Sequence, residues 1–334
     1  VTTSAPRIGL VLGAGGVTGG AFHAGVLAAL FDLLGWDARR ADLVVGTSAG
    51  SLTGSLLRAG VAPRDLLAGS RDEPLSPAGA ALLAPLQARR DAWPPPSERR
   101  RPRLAEPGVL VHAARRPWRA RPGAVAAALI PAGAMSTAVI SDGIDPLFAA
   151  WPEQPLWINA VRMRDGRRIV FGRGHAARPS VGSAVAASCA IPGYFTPVTI
   201  DGDRYVDGGA HSPTNLDLVR RERFDLVVVS SPMSVAGRTP SLRYDALARR
   251  YFRATLDVEA VAVRRTGTRV VAFQPTPADR TVMGLNPMDP QRRAATAEQA
   301  YQSTVRRLER HDVLRRLEVL THTSTPATPA APTR

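Results

Sequence analysis

Residues 42–58 constrain this chain more than any others. Leu43-Val44-Val45 is a short apolar run of strand-forming residues that leads straight into Gly46-Thr47-Ser48-Ala49-Gly50. Ser51 then opens a segment with Leu52, Leu56 and Leu57 at helical spacing. A G-x-S-x-G pentapeptide between a buried strand and a helix is the context of a nucleophile elbow. The reason is steric. A serine on so sharp a turn takes strained backbone angles, and its neighbours two positions away must nearly lack side chains, as Gly46 and Gly50 do. The hydroxyl of Ser48 is then held at a helix N-terminus, where the helix dipole favours developing negative charge.

A second strand-loop-helix unit precedes it. Ile8 to Leu12 is a buried strand, and Gly13-Ala14-Gly15-Gly16-Val17-Thr18-Gly19-Gly20 follows. The next helix carries Phe22, Val26, Leu27, Leu30 and Leu34 on one face. Free backbone N–H groups in such a loop converge on an anion. A dinucleotide fingerprint is excluded, because the last glycine of G-x-G-x-x-G falls on Thr18 and no acidic residue ends the second strand. A phosphate-binding P-loop is excluded too, because it needs a lysine and the chain has none. The remaining reading is an oxyanion hole built from Gly13, Ala14, Gly15 and Gly16 and serving Ser48.

The glycine loop, Gly25-Val26-Leu27 in the helix after it, and Gly-Thr-Ser-Ala-Gly some thirty residues on together resemble the patatin-like phospholipase family. Two later blocks carry the same resemblance. Ala187-Ser-Cys-Ala-Ile-Pro-Gly-Tyr-Phe-Thr-Pro197 leads through a short hairpin to Asp207-Gly208-Gly209, and His211-Ser-Pro-Thr-Asn215 follows. The resemblance covers most of residues 8–230. It implies a three-layer α/β/α sandwich with a mostly parallel central sheet. It also implies a Ser48–Asp207 catalytic dyad, an aspartate supported by Gly208 and Gly209, and a lipid or fatty-acyl ester substrate. No cofactor and no metal are implied. Thr18 departs from the family pattern, which usually carries Arg or Lys just before the last loop glycine. A catalytically weakened lipid-binding protein is therefore one alternative. Another is a Ser-His-Asp esterase of a different α/β fold. His211 is the one candidate histidine for it, but it follows Asp207 too closely to be placed by separate structure. His23, beside the glycine loop, reads as a packing residue, and Cys189 as a buried one.

The order of elements supports the fold. Short helices are expected at 65–68 and 78–87. A hairpin turning at Asp165-Gly166 joins 156–163 to 168–171. A helix is expected from Val181 to Ala190. Strands follow at 224–230 and 269–273, with a long helix between them at 244–263 and a single long helix over 291–320. One domain over 1–320 is expected, with 71–135 as an insertion or lid, an Ala-rich core helix near 123–135, and a disordered tail from 321.

All 43 basic residues are arginine, and the net charge is +15. Residues 88–122 concentrate ten arginines against three acids, with seven prolines. That composition suits an exposed, irregular segment, either a solvated loop of an arginine-biased chain or a basic collar that meets an anionic membrane. No nucleic-acid motif accompanies the charge, so no nucleic-acid partner is expected. No uninterrupted apolar run reaches the ~18–20 residues of a membrane span. The expected location is cytoplasmic with peripheral membrane contact. The sequence leaves the oligomeric state open.

Overall fold

A computed structural model describes residues 5–89, 129–174, 179–236 and 244–321. The apolar runs become strands. β1 (Ile8–Leu12), β2 (Leu43–Thr47) and β7 (Leu226–Ser230) are buried at every position. Such continuous burial means that both faces of the sheet are covered. Alternation along each strand shares the residues between two cores. Leu10, Leu12, Val44 and Val228 face one layer, and Val11, Val45, Val227 and Val229 face the other.

Among the described residues the sheet has eight strands in the order β5-β6-β3-β2-β1-β7-β8, with β4 paired to β3. β3 (Leu156–Arg162), β2, β1, β7 and β8 (Arg269–Phe273) are mutually parallel. β4 (Arg168–Phe171), β5 (Val198–Ile200) and β6 (Asp203–Asp207) extend the sheet antiparallel. The architecture is therefore the three-layer α/β/α sandwich with a mostly parallel sheet.

The first layer holds α1 (Gly16–Leu34), α2 (Ala49–Arg58), α3 (Pro63–Arg71), α4 (Pro77–Gln87), α5 (Ala138–Ile144) and α6 (Val181–Ser188). It also holds α9 (Arg293–Leu308) and α10 (His311–Thr321). The opposite layer is α7 (Tyr244–Arg264) with the short 3-10 segment Leu216–Arg221. A short α8 (Pro277–Met283) packs beside α9. Gly25 marks the place where α9 lies directly on α1. A side chain there would run into the Ala297 carbonyl and the Tyr301 backbone nitrogen. By length and composition α1 could cross a membrane, but here it is mostly buried in the core.

Two expectations are corrected. The single helix over 291–320 is two helices, broken at residues 309–310. Nothing local forces the break, since no Gly or Pro is present. At ~100° per residue, Leu308 lies on one side of a continuous helix, and Val313, Leu317 and Leu320 on the other. Breaking the helix lets all four be buried. The Ala-rich stretch near 123–135 is not a core helix at its described end. Leu129 and Ile130 are exposed, and residues 133–135 run alongside 194–196, with the Thr196 N–H donating to the Met135 carbonyl at 2.7 Å. Of the expected 71–135 insertion, α4 packs Leu83 into the main core, and residues 90–128 lie outside the described residues. The expected tail beyond 321 lies outside them as well.

Candidate active site

Ser48 is the single residue between β2 and α2. Its backbone sits at φ 54° and ψ −123°, a left-handed region costly to any residue but glycine. The neighbours explain how so tight a turn fits. A side chain on Gly46 would meet the backbone of Ser51, and one on Gly50 would collide with the Leu12 carbonyl of the adjacent strand. The turn is held from three sides. The Ser48 N–H donates to Ser188 Oγ at 2.9 Å. The Ser48 carbonyl accepts from Ser51 Oγ at 2.7 Å and from the Ser51 N–H at 2.8 Å.

The sheet register brings Asp207 to this serine. β4 occupies one edge of β3 through Ile158 to Val161. β2 and β6 share the other edge end to end: Thr47 lies opposite Asn159, and Asp207 opposite Ala160. β2 runs parallel to β3 and β6 antiparallel, so their C-terminal ends meet. The Ser48 side chain lies close enough to the Asp207 carboxylate to lower its pKa as a hydrogen-bonding neighbour. Asp207 Oδ1 also accepts the Gly209 N–H at 2.7 Å. Burial raises the Asp207 pKa from 3.8 to about 6, against the opposing pull of those two hydrogen bonds.

The glycine loop lies across the elbow and the Asp-Gly-Gly turn. The Gly13 N–H donates to the Ser230 carbonyl at 2.9 Å, and the Ala14 N–H to the Pro213 carbonyl at 2.8 Å. Those two donors are spent, which corrects the expected oxyanion set of Gly13, Ala14, Gly15 and Gly16. Among the described residues no backbone carbonyl takes the N–H of Gly15 or Gly16. These two cap and begin α1, where N–H groups have no partner within the helix.

His23 is not mere packing. Its Nε2–H donates to the Gly13 carbonyl at 2.8 Å, and its Nδ1 accepts the Ser230 hydroxyl at 2.7 Å. A carbonyl only accepts, which sets the tautomer. Burial lowers its pKa to about 4, so it buttresses the loop as a neutral ring. Thr18 is buried, and its N–H donates to the Pro287 carbonyl at 3.0 Å. Cys189 lies beside the serine, its Sγ 3.9 Å from Ser51 Oγ, and burial pushes its thiol pKa up.

Ser48 opens onto a cavity of about 350 Å³ between α1, α2, α3, α4 and α5. Its walls are largely apolar, with Leu52, Leu56, Leu66, Leu83, Ile140 and Phe195 among them. Among the described residues no cluster of His, Cys, Asp or Glu is arranged to hold a metal ion.

The model of the patatin-like phospholipase family matches residues 10–220. The chain belongs to that family. Solved structures also match at low similarity. VipD from Legionella pneumophila matches with a TM-score of 0.42 and 15% identity, over 92% of this chain and 67% of that one. The ExoU–SpcU complex from Pseudomonas aeruginosa matches with a TM-score of 0.35 and 21% identity, over 95% of this chain and 53% of that one. Human GIVD cytosolic phospholipase A2, solved with methyl gamma-linolenyl fluorophosphonate, matches at 0.38 and 12%, over 95% and 59%. This patatin-like chain thus spans little more than half the length of the last two.

Around the site, Asn159, Arg168 and Glu259 escaped the sequence reading, and Asn215 was named there without a role. Asn159 Nδ2 donates to the Gly46 carbonyl at 3.1 Å, and Asn215 Nδ2 to Thr47 Oγ1 at 3.1 Å. Arg168 donates to Asn215 Oδ1 at 2.9 Å and pairs with Asp217. Glu259, on α7 and beyond the family match, is buried and accepts from Thr214 and Leu216. A signal for it existed. Glu259 falls on the same helical stripe as Leu256, Ala260 and Val263, where a carboxylate is out of place.

Proposed function

We propose that this protein is a serine acyl hydrolase of lipid esters acting through a Ser48–Asp207 dyad. The observation that carries the reading is the register that sets Ser48 beside the buried Asp207 carboxylate at the head of an apolar cavity. Ser48 Oγ attacks the ester carbonyl while Asp207 takes its proton. The oxyanion accepts the N–H groups of Gly15 and Gly16, donors typically worth ~3–4 kcal/mol each in a transition state. Collapse expels the alcohol, which leaves with the proton from Asp207, and an acyl group stays on Ser48. Water, deprotonated by the same carboxylate, then releases the fatty acid and restores the serine. A carboxylate at its ordinary pKa is a weak base for this work. Burial that raises Asp207 to about 6 narrows the gap to the serine hydroxyl. The largely apolar cavity suits an acyl chain, so the substrate is a lipid or fatty-acyl ester.

We further propose peripheral contact with anionic membranes, supported by the net charge of +15. Labelling with a fluorophosphonate tests the core of the reading. Wild-type protein should be labelled at Ser48 and should hydrolyse p-nitrophenyl esters. Ser48→Ala, with unchanged circular dichroism, should do neither. A folded Ser48→Ala protein that retains wild-type turnover would sink the serine-nucleophile reading.

A further inference from the structure

The five residues Ser212 to Leu216 touch two parts of the site at once. The Pro213 carbonyl takes the Ala14 N–H at 2.8 Å, and the loop packs so closely on Gly13 that a side chain there would lie 3.1 Å from that carbonyl oxygen. Asn215 Nδ2 reaches Thr47 Oγ1, one residue before the serine, at 3.1 Å. Asn215 can do so because its backbone is left-handed, at φ 52°, and because it also donates to the Ser212 carbonyl at 2.7 Å. The position of this loop therefore sets that of the glycine loop and of the strand end beneath the elbow.

What holds the loop from behind is one side chain of α7. Glu259 Oε2 accepts the Thr214 hydroxyl at 2.8 Å and the Leu216 N–H at 2.9 Å. Both donors come from the same five residues. The cation of this network, Arg168, is engaged by Asp217 and Asn215. A buried carboxylate without a cationic partner costs folding free energy, and an apolar residue on this stripe of α7 would pack at no such cost.

We infer that Glu259 is a positioning residue for the oxyanion-binding loop, acting from the far side of the sheet through residues 212–216 on Gly15 and Gly16. This rests on the dyad reading above. Its consequence is specific. Donors that meet the oxyanion bind the transition state and not the ground state, so their misplacement lowers kcat and leaves KM unchanged. The experiment compares wild type, Glu259→Ala and Glu259→Gln on a soluble p-nitrophenyl ester, with Ser48→Ala as the control. Glu259→Ala should lose about 10-fold or more in kcat with KM essentially unaltered. Glu259→Gln should restore kcat to near wild type. Thr214 and Leu216 both donate to one oxygen, which an amide retains.

Two results would overturn the inference: wild-type kcat in a folded Glu259→Ala protein, or equal loss in the Gln and Ala variants. If Glu259→Ala does not fold, Thr214→Val removes one donor to the same oxygen. It should show the same split at smaller size, and an unchanged kcat there overturns the inference equally. Turnover that survives in Ser48→Ala removes the dyad and this inference together. Ser48-dependent turnover untouched by Glu259→Ala removes this inference alone.

Discussion

Replacing Asp207 by Asn should inactivate the protein and stabilise it in the same stroke. The folded-state pKa of Asp207 lies at about 6 against an ordinary 3.8, and the largest cause is burial. A carboxyl raised in the folded state is a neutral acid the fold tolerates and an anion it resists. Below pH 3.8 the group is protonated whether the chain is folded or not, and it takes nothing from stability. Between 3.8 and 6 the folded state holds the proton that the unfolded state has lost, so stability falls as pH rises. Above 6 the full penalty is present, about 3 kcal/mol for a difference of this size. The amide of Asp207→Asn does not titrate. It can still accept the Gly209 N–H and can donate to Ser48 Oγ, so little else changes. The variant's advantage over wild type should grow from nothing near pH 4 to about 3 kcal/mol at pH 8, or roughly 4 °C in Tm for a chain of this length. Turnover should fall by about 10²–10⁴-fold, because an amide cannot take the serine proton. Wild-type activity should itself rise through pH 6 as Asp207 ionises. Denaturant unfolding of both proteins from pH 4 to 8, with ester hydrolysis alongside, measures all of this. A variant less stable than wild type at pH 8, or a stability difference that ignores pH, would refute the argument. So would an active Asp207→Asn protein.

The same reasoning has the opposite sign at His23, whose pKa is lowered to about 4. Its contribution is complete above the ordinary 6.5 and is lost as pH falls toward 4, by about 3 kcal/mol. His23→Gln keeps a donor for Gly13 and an acceptor for Ser230 without titrating. Its stability relative to wild type should therefore improve between pH 7 and pH 4.5 in urea unfolding, and a constant difference would contradict the neutral-buttress role. Ser48→Gly should be inactive yet more stable by about 1 kcal/mol. It relieves ~1–3 kcal/mol of backbone strain, partly offset by glycine's greater freedom when unfolded, and a lower Tm would deny the strain. Cys189, the one cysteine of the chain, is buried with its thiol pKa raised. A thiol reagent at pH 8 should find no reactive group in the native protein and one after denaturation, whereas fast native labelling would show the thiol to be open. His211→Ala should reduce hydrolysis only mildly, since Asp207 itself lies beside the serine. Inactivation as deep as that of Ser48→Ala, with the fold intact, would turn the site into a triad.

Local chemistry alone was enough to read much of this protein. A glycine on each side of Ser48, an apolar run before it and a helical stripe after it can satisfy one another in few ways, so the elbow is written in neighbouring residues. The same holds for the glycine loop, for the buried strands with their alternating faces, and for the Asp165-Gly166 hairpin. The tertiary structure decided what depends on distant partners. Ser48 and Asp207 meet because β2 and β6 share one edge of β3, a register no local pattern encodes. Gly13 and Ala14 look like Gly15 and Gly16 in sequence. Only the approach of Ser230 and Pro213 uses up the N–H groups of the first pair, and among the described residues no backbone carbonyl takes those of the second. The break between α9 and α10 has no local cause and follows from burying Leu308 and Leu317 on opposite sides of what would be one rod. His23 and Glu259 sit on helical stripes like any core residue, and their roles come from what the fold sets against them. Backbone geometry and periodicity act within a few residues and can be read along the chain. The environment of a buried polar group is made by residues far from it in sequence, and exists only once the chain has closed around it.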